Sequence, residues 1–190
     1  MRNSAGAVSR ISSARASPAP TPDAMGKWLA LSAAIVALDQ LTKYAVSATL
    51  APREAIEVTS FFNLVLAHNR GAAFSFLAGA SGWQREFFIG IAVIASVWIV
   101  WLLRRYPRET LFCTALALVL GGAIGNVIDR VALGAVVDFL DFHAYGYHWP
   151  AFNVADSAIT CGAVLLIWDG LRPRKSASAT PPEAPGTGRR

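Results

Sequence analysis

Charge is scarce in this chain: only 15% of its 190 residues are Asp, Glu, Lys or Arg, against about a quarter in soluble domains. With 54% hydrophobic residues and a mean hydropathy of +0.43, that shortage argues against a soluble globular domain. Cysteine is nearly absent. The two present, Cys113 and Cys161, lie inside apolar runs, which excludes a disulfide scaffold and any Cys-based metal spacing. No HExxH pair of histidines exists; His68, His143 and His148 are scattered over expected loops and read as polar interfacial side chains. Ser60, Ser75, Ser81 and Ser157 have no helix-paired base, so a Ser/His/Asp arrangement has nothing to build on. Neither a metal nor a cofactor is expected. The net charge of +5 could suggest nucleic acid, but the basic residues form no patch, and no nucleic-acid partner is expected.

What the chain does have is long apolar runs. Phe87–Leu103 and Leu111–Ile128 carry no charge, Ala151–Trp168 carries only Asp156, and a fourth run from Trp28 is interrupted by Asp39 and Lys43. A spanning helix needs about 20 mostly apolar residues, and only helices or closed barrels satisfy their backbone in lipid. The predicted spans are about 28–48, 84–104, 110–130 and 151–171, joined by outer loops at about 49–83 and 131–150. Residues 1–24, rich in Ser, Ala and Pro, read as a disordered leader, and 172–190 as a disordered tail. Met25 stands where translation could also start, and no cleavable signal peptide is expected.

Basic residues set the orientation. Arg2, Arg10, Arg15 and Lys27 precede span 1; Arg104, Arg105 and Arg108 lie between spans 2 and 3; Arg172, Arg174, Lys175, Arg189 and Arg190 follow span 4. These are 12 of the 17 basic residues, and they predict both termini in the cytoplasm. In the first outer loop, IEVTSFFNLVL (56–66) is β-branched and aromatic enough for two short strands. The expected fold is therefore membrane α-helical: four transmembrane helices with a small extracytoplasmic β element between helices 1 and 2. Trp83, Trp149, Tyr145 and Tyr147 are expected at the interface.

That orientation brings the ionisable residues of the spans to one outer layer. Asp39 and Lys43 (i,i+4), Asn126, Asp129 and Arg130 (i,i+3,i+4), and Asn153 and Asp156 (i,i+3) each share a helix face, and the second loop adds Asp138 and Asp141. Polar groups at membrane depth are costly and usually face a bundle interior or a cavity. Asp39 with Lys43 reads as an ion pair orienting span 1, Asp129 beside Arg130 as a helix-end ion pair, and Asp141 as a solvated loop acid. Asp138 emerges from the apolar run GAVVDFL and Asp156 sits within a span. Two close carboxylates share a proton, one acting as base toward water while the other polarises a carbonyl: peptide hydrolysis without a metal or covalent intermediate. Structural roles for these acids stay open on spacing alone. The stripe Gly121, Gly122, Gly125 reads as close helix packing.

The blocks DQLTKY (39–44), NRGAAFSF (69–76), GGAIGNVIDR (121–130), VVDFLDF (136–142) and FNVADS (152–157) resemble, in order and spacing, the signature blocks of lipoprotein signal peptidase (signal peptidase II). The resemblance covers roughly 27–170. It implies an aspartyl protease of the bacterial inner membrane, multi-pass, that cuts signal peptides from lipid-modified prolipoproteins. It puts the catalytic aspartates on Asp138 and Asp156, and other motif positions on Asp39, Lys43, Asn69, Gly71, Gly122, Asn126, Asp129, Arg130, Asn153 and Ala155. Prolipoprotein substrates and membrane lipids are the expected partners, and a monomer the expected state. The competing reading, a small ion-coupled carrier, calls for acids near the bilayer midplane and an internal repeat; the chain has acids at one edge and no visible repeat.

Overall fold

Residues 22–52, 54–71 and 83–172 are described in a computed structural model, 22–24 as backbone only. Four helices are long and apolar enough to cross a membrane: α1 (Pro22–Thr49), α2 (Gln84–Arg105), α3 (Thr110–Leu133) and α4 (Val154–Leu171). Between α1 and α2 lie strands β1 (Ala55–Thr59) and β2 (Phe62–Asn69); between α3 and α4 lie β3 (Val136–Ala144) and β4 (Tyr147–His148). The expected four-helix membrane architecture with a small sheet is what is found.

Several boundaries differ from the sequence reading, each for a local reason. Helix α1 starts at Pro22, inside the stretch expected to be a leader, because proline at a first helical position loses no hydrogen bond and has the right φ. Residues 1–21 and most of the tail lie outside the described residues, as does the 72–82 run. Helix α4 starts at Val154 rather than 151. Asn153 is not in a first helical turn: it is the N-cap, in extended conformation, and its side chain accepts the Asp156 N–H. The second outer loop is not irregular either. It supplies β3 and β4, so the sheet has four antiparallel strands in the order β1-β2-β3-β4. The three histidines accordingly sit on strands, His68 on β2, His143 on β3 and His148 on β4, with the last two rings stacked 4.9 Å apart.

Helix α3 is the centre of the bundle, with α1, α2 and α4 packed around it. Its small residues allow this. A Cβ on Gly121 would meet Ile35 and the Ser32 carbonyl of α1, and one on Gly122 would overlap the Ala155 carbonyl of α4. Trp28, Ile99, Leu103, Cys113, Leu116 and Leu120 form an apolar cluster at one end. The Trp28 indole donates to the Pro107 carbonyl (3.2 Å), tying the start of α1 to the α2–α3 link. A second cluster, Val46, Leu50, Leu66, Val137 and Phe139, joins the sheet to the other end of α1. Between the two clusters lies a buried polar layer: Asp39, Lys43, Asn126, Asp129, Asp138 and Asn153.

Candidate active site

Lys43 organises the layer. Its Nζ lies 2.8 Å from Asp39 Oδ2 and 2.8 Å from Asp129 Oδ2, and donates to Asn126 Oδ1 at 3.1 Å. The Asp39–Lys43 ion pair expected from spacing is present. The pairing of Asp129 with Arg130 is not: Asp129 turns inward to Lys43 and accepts the Val137 N–H (3.0 Å), because a buried carboxylate is stabilised best where several donors converge. Asp39 Oδ1 accepts the Ala155 N–H at 2.8 Å, fixing the first turn of α4 against α1. The layer therefore holds α1, α3, β3 and α4 in register.

Asp138 and Asp156 hang from this frame. A register irregularity in β2 between Leu64 and Ala67 sets Ala67 opposite Asp138, and bulges of this kind re-aim side chains beside functional sites. Past β4 the chain returns to β3, where Phe152 bridges Leu140. That return delivers Asn153 to Asp138: Asn153 Nδ2 donates to Asp138 Oδ1 (2.7 Å) and to the Val137 carbonyl (3.2 Å). One helical turn on, Asp156 receives Asn126 Nδ2 on Oδ1 (2.7 Å), and Asn153 Nδ2 also reaches Asn126 Oδ1 (3.3 Å). Two asparagines thus link the two carboxyls. Asn69 adds a further side-chain hydrogen bond to Asp138. Burial, and then the neighbouring Asp156 charge, push Asp138 up to about 7, against the pull of the Asn69 and Asn153 hydrogen bonds.

Both carboxyls line a cleft of about 1010 Å³ whose walls include Asn69, Gly71, Phe88, Arg130, Trp149 and Thr160. Gly71 closes the turn after β2: its N–H donates to Asn69 Oδ1 (2.8 Å), its φ is +109°, and a Cβ there would strike Phe88. The Arg130 guanidinium lies 5.1 Å over the Phe88 ring and donates to the Asn126 carbonyl (3.3 Å). Gly122 and Ala155 are packing positions, since the backbone of α4 lies directly against Gly122. Trp83, Trp149, Tyr145 and Tyr147 are exposed at this end. Among the described residues no group of His, Cys, Asp or Glu is placed to hold a metal ion.

Asp141 departs from the sequence reading. It is a buried strand residue, not a solvated loop acid: Asn63 Nδ2 donates to it at 3.0 Å, and His148 Nδ1 lies 3.0 Å from both its oxygens. Burial alone would raise its carboxyl, but His148 and Asn63 outweigh burial and hold it below the usual range. Gln40 is a residue that spacing does not pick. Its Nε2 donates to Asp129 Oδ1 (2.9 Å), the Gly125 carbonyl (3.2 Å) and Asp39 Oδ2 (3.2 Å). Helical neighbours one apart do not face each other, so its place beside Asp39 in DQLTKY carried no signal.

The family model described as Signal peptidase (SPase) II matches residues 31–172. The lipoprotein signal peptidase of Ralstonia nicotianae is 64% identical over 148 residues, covering 78% of this chain and 86% of that protein. Its counterpart in Paraburkholderia phytofirmans is 60% identical over the same shares, and that of an Azoarcus species is 57% identical over 85% of this chain and 92% of its own. Two solved structures of a bacterial membrane enzyme, obtained by the in meso method, superpose with TM-scores of 0.69 and 0.70 at 35% and 34% identity. Each covers 77% of this chain, and they are matched over 88% and 94% of their own lengths. On the matched span, the relatives and the shared fold, this chain belongs to the signal peptidase II family.

Proposed function

We propose that the chain removes signal peptides from diacylglyceryl-modified prolipoproteins at the outer face of the bacterial inner membrane, as an aspartic endopeptidase using Asp138 and Asp156. The observation that carries this reading is the asparagine-linked carboxyl pair: both acids are held by Asn126 and Asn153 and both open into one cleft. Relatives named lipoprotein signal peptidase support the substrate class. Both acids come from one chain, which supports action as a monomer.

The chemistry follows from the difference between the two acids. In the working state the two carboxyls share one proton, assigned here to Asp138, whose carboxyl burial and the Asp156 charge raise to about 7. Asp156 takes a proton from water, and the hydroxide oxygen bonds to the scissile carbonyl carbon. Protonated Asp138 donates to the carbonyl oxygen as the tetrahedral species forms. Collapse breaks the C–N bond as the former carbonyl oxygen returns its proton to Asp138, and the proton gathered by Asp156 passes to the leaving amine. Asn69 and Arg130, in the walls of the cleft, are the groups assigned to hold peptide or ester carbonyls. The basic flanks at the end away from the sheet support cytoplasmic termini and a cleft at the outer leaflet.

The test is cleavage by purified protein of a diacylglyceryl-modified precursor and of its unmodified form. Cleavage of the first alone is expected, and equal cleavage of both removes the lipid from the reading. A reporter fused after Leu171 should report cytoplasm; an external signal overturns the orientation.

A further inference from the structure

A second groove lies in the half of the bundle away from the sheet. Helices α1 and α2 both pack on α3 and touch each other little, leaving about 880 Å³ between them, within the roughly 300–1,000 Å³ typical of ligand sites. Ala33 and Ala37 hollow the α1 wall, Val97 and Val100 form the α2 wall, and Leu120 and Ile124 form the floor. From Leu29 to Ala37 the α1 wall rises about 12 Å, close to the ~15 Å depth of one leaflet's hydrocarbon. None of its residues belongs to the layer around Asp138 and Asp156.

Charge selects the occupant. Arg104 closes the groove at its polar end; it is exposed, and among the described residues it has no ion-pair partner. Lys27 and Arg105 stand at the same end, over the faces of Trp28 and Tyr106. A signal-peptide helix with its basic start, or this chain's own leader with Arg2, Arg10 and Arg15, meets like charge there. An acyl chain bearing a phosphate meets an apolar wall and an unpaired guanidinium, which as a planar fork suits phosphate oxygens.

We infer that this groove holds one anionic glycerophospholipid, its acyl chain between Ala33 and Val100 and its phosphate on Arg104. Under the orientation proposed above, the lipid comes from the cytoplasmic leaflet.

The test uses the full chain in detergent, with native mass spectrometry after addition of phosphatidylglycerol or of phosphatidylcholine with the same acyl chains. One phosphatidylglycerol should be retained about fivefold more readily than phosphatidylcholine. Arg104→Ala should make the two equal, and Ala33→Phe should abolish retention of both. Val97→Trp, from the opposite wall, repeats the filling test should Ala33→Phe fail to fold. Equal retention of both lipids by the unaltered protein, unchanged retention after groove filling, or a copurified peptide in the lipid's place overturns the inference. The readout is independent of proteolysis: a lipid pattern as expected without precursor cleavage overturns the proposed function and leaves the lipid site standing.

Discussion

Asp39 Oδ1 accepts the backbone N–H of Ala155 across 116 residues of sequence, at 2.8 Å. The bond satisfies one of the free donors at the start of α4 and places the turn carrying Asp156 beside the Lys43 layer. Gly125 makes the approach possible, because a Cβ there would lie 2.6 Å from Asp39 Oδ2. The geometry of the proposed site and the helix packing are thus one problem in this fold.

The first prediction follows from that coupling. Gly122→Ala forces a methyl group into the Ala155 carbonyl, and backbone cannot give way as a side chain can. It should destabilise by about 1–3 kcal/mol and lower activity with it. Gly90→Ala, where a Cβ meets nothing within 4 Å, should be neutral or stabilising by up to about 1 kcal/mol. Thermal unfolding of the two variants side by side decides; equal shifts remove the packing argument.

Asn153 has two separable jobs, capping α4 through Oδ1 and donating to Asp138 through Nδ2. Asn153→Ala should cost about 1 kcal/mol of stability and most of the activity. Asn153→Asp keeps an acceptor for the cap but replaces the donor to Asp138 with a like charge. It should be inactive as well, and at neutral pH it should also lose stability, because it buries a charge against the Asp138 carboxyl and the Val137 carbonyl. An active Asn153→Asp enzyme would show that the donor to Asp138 is dispensable.

Asp141 offers a contrast to the pair. It faces Asn63 and His148 and is not among the residues lining the cleft, so Asp141→Asn should retain substantial cleavage. Its carboxyl is held below its ordinary value of 3.8 in the folded chain. A depressed carboxyl contributes stability that is full above the unfolded value and lost as pH falls through the folded one. The wild-type advantage over Asp141→Asn should therefore be present at pH 7 and fade once the pH drops below about 4. Unfolding curves across that window check the sign.

The spans were legible because lipid leaves a chain only one economical state, and uninterrupted runs such as Phe87–Leu103 announce it. The polar layer was legible because helical spacing puts Asn126, Asp129 and Arg130 on one face wherever the helix ends. Strand content was half legible. IEVTSFFNLVL has the β-branched pattern, whereas Val136–Ala144 owes its strand state to pairing with β2 across more than 60 residues, which no local pattern records. The same tertiary pairing buried Asp141 and carried His143 and His148 onto strands. Partner choice was not legible either: Asp129 has Arg130 beside it in sequence, yet it pairs with Lys43 from another helix.

The last prediction concerns the pair itself. Asp138→Asn and Asp156→Asn each keep size and hydrogen bonding but cannot exchange a proton with water or substrate, so each should lower cleavage by at least about 10²-fold. The wild-type rate should follow a bell in pH whose limbs belong to the coupled pair rather than to either residue. Stability should move the opposite way from activity at Asp138. Its carboxyl is raised from 3.8 to about 7 in the folded chain, so it contributes stability below the unfolded value and loses it as pH rises through the folded one. At pH 8 the wild type therefore carries a buried charge that Asp138→Asn lacks, and the variant should unfold at the higher temperature. The difference is bounded by about 4 kcal/mol and should shrink toward pH 4, where both side chains are neutral. The measurement is precursor cleavage and thermal unfolding of each variant at pH 4, 6 and 8. A dead Asp138→Asn enzyme that is also less stable at pH 8 would assign Asp138 a structural role, and full activity in that variant would remove it from the mechanism.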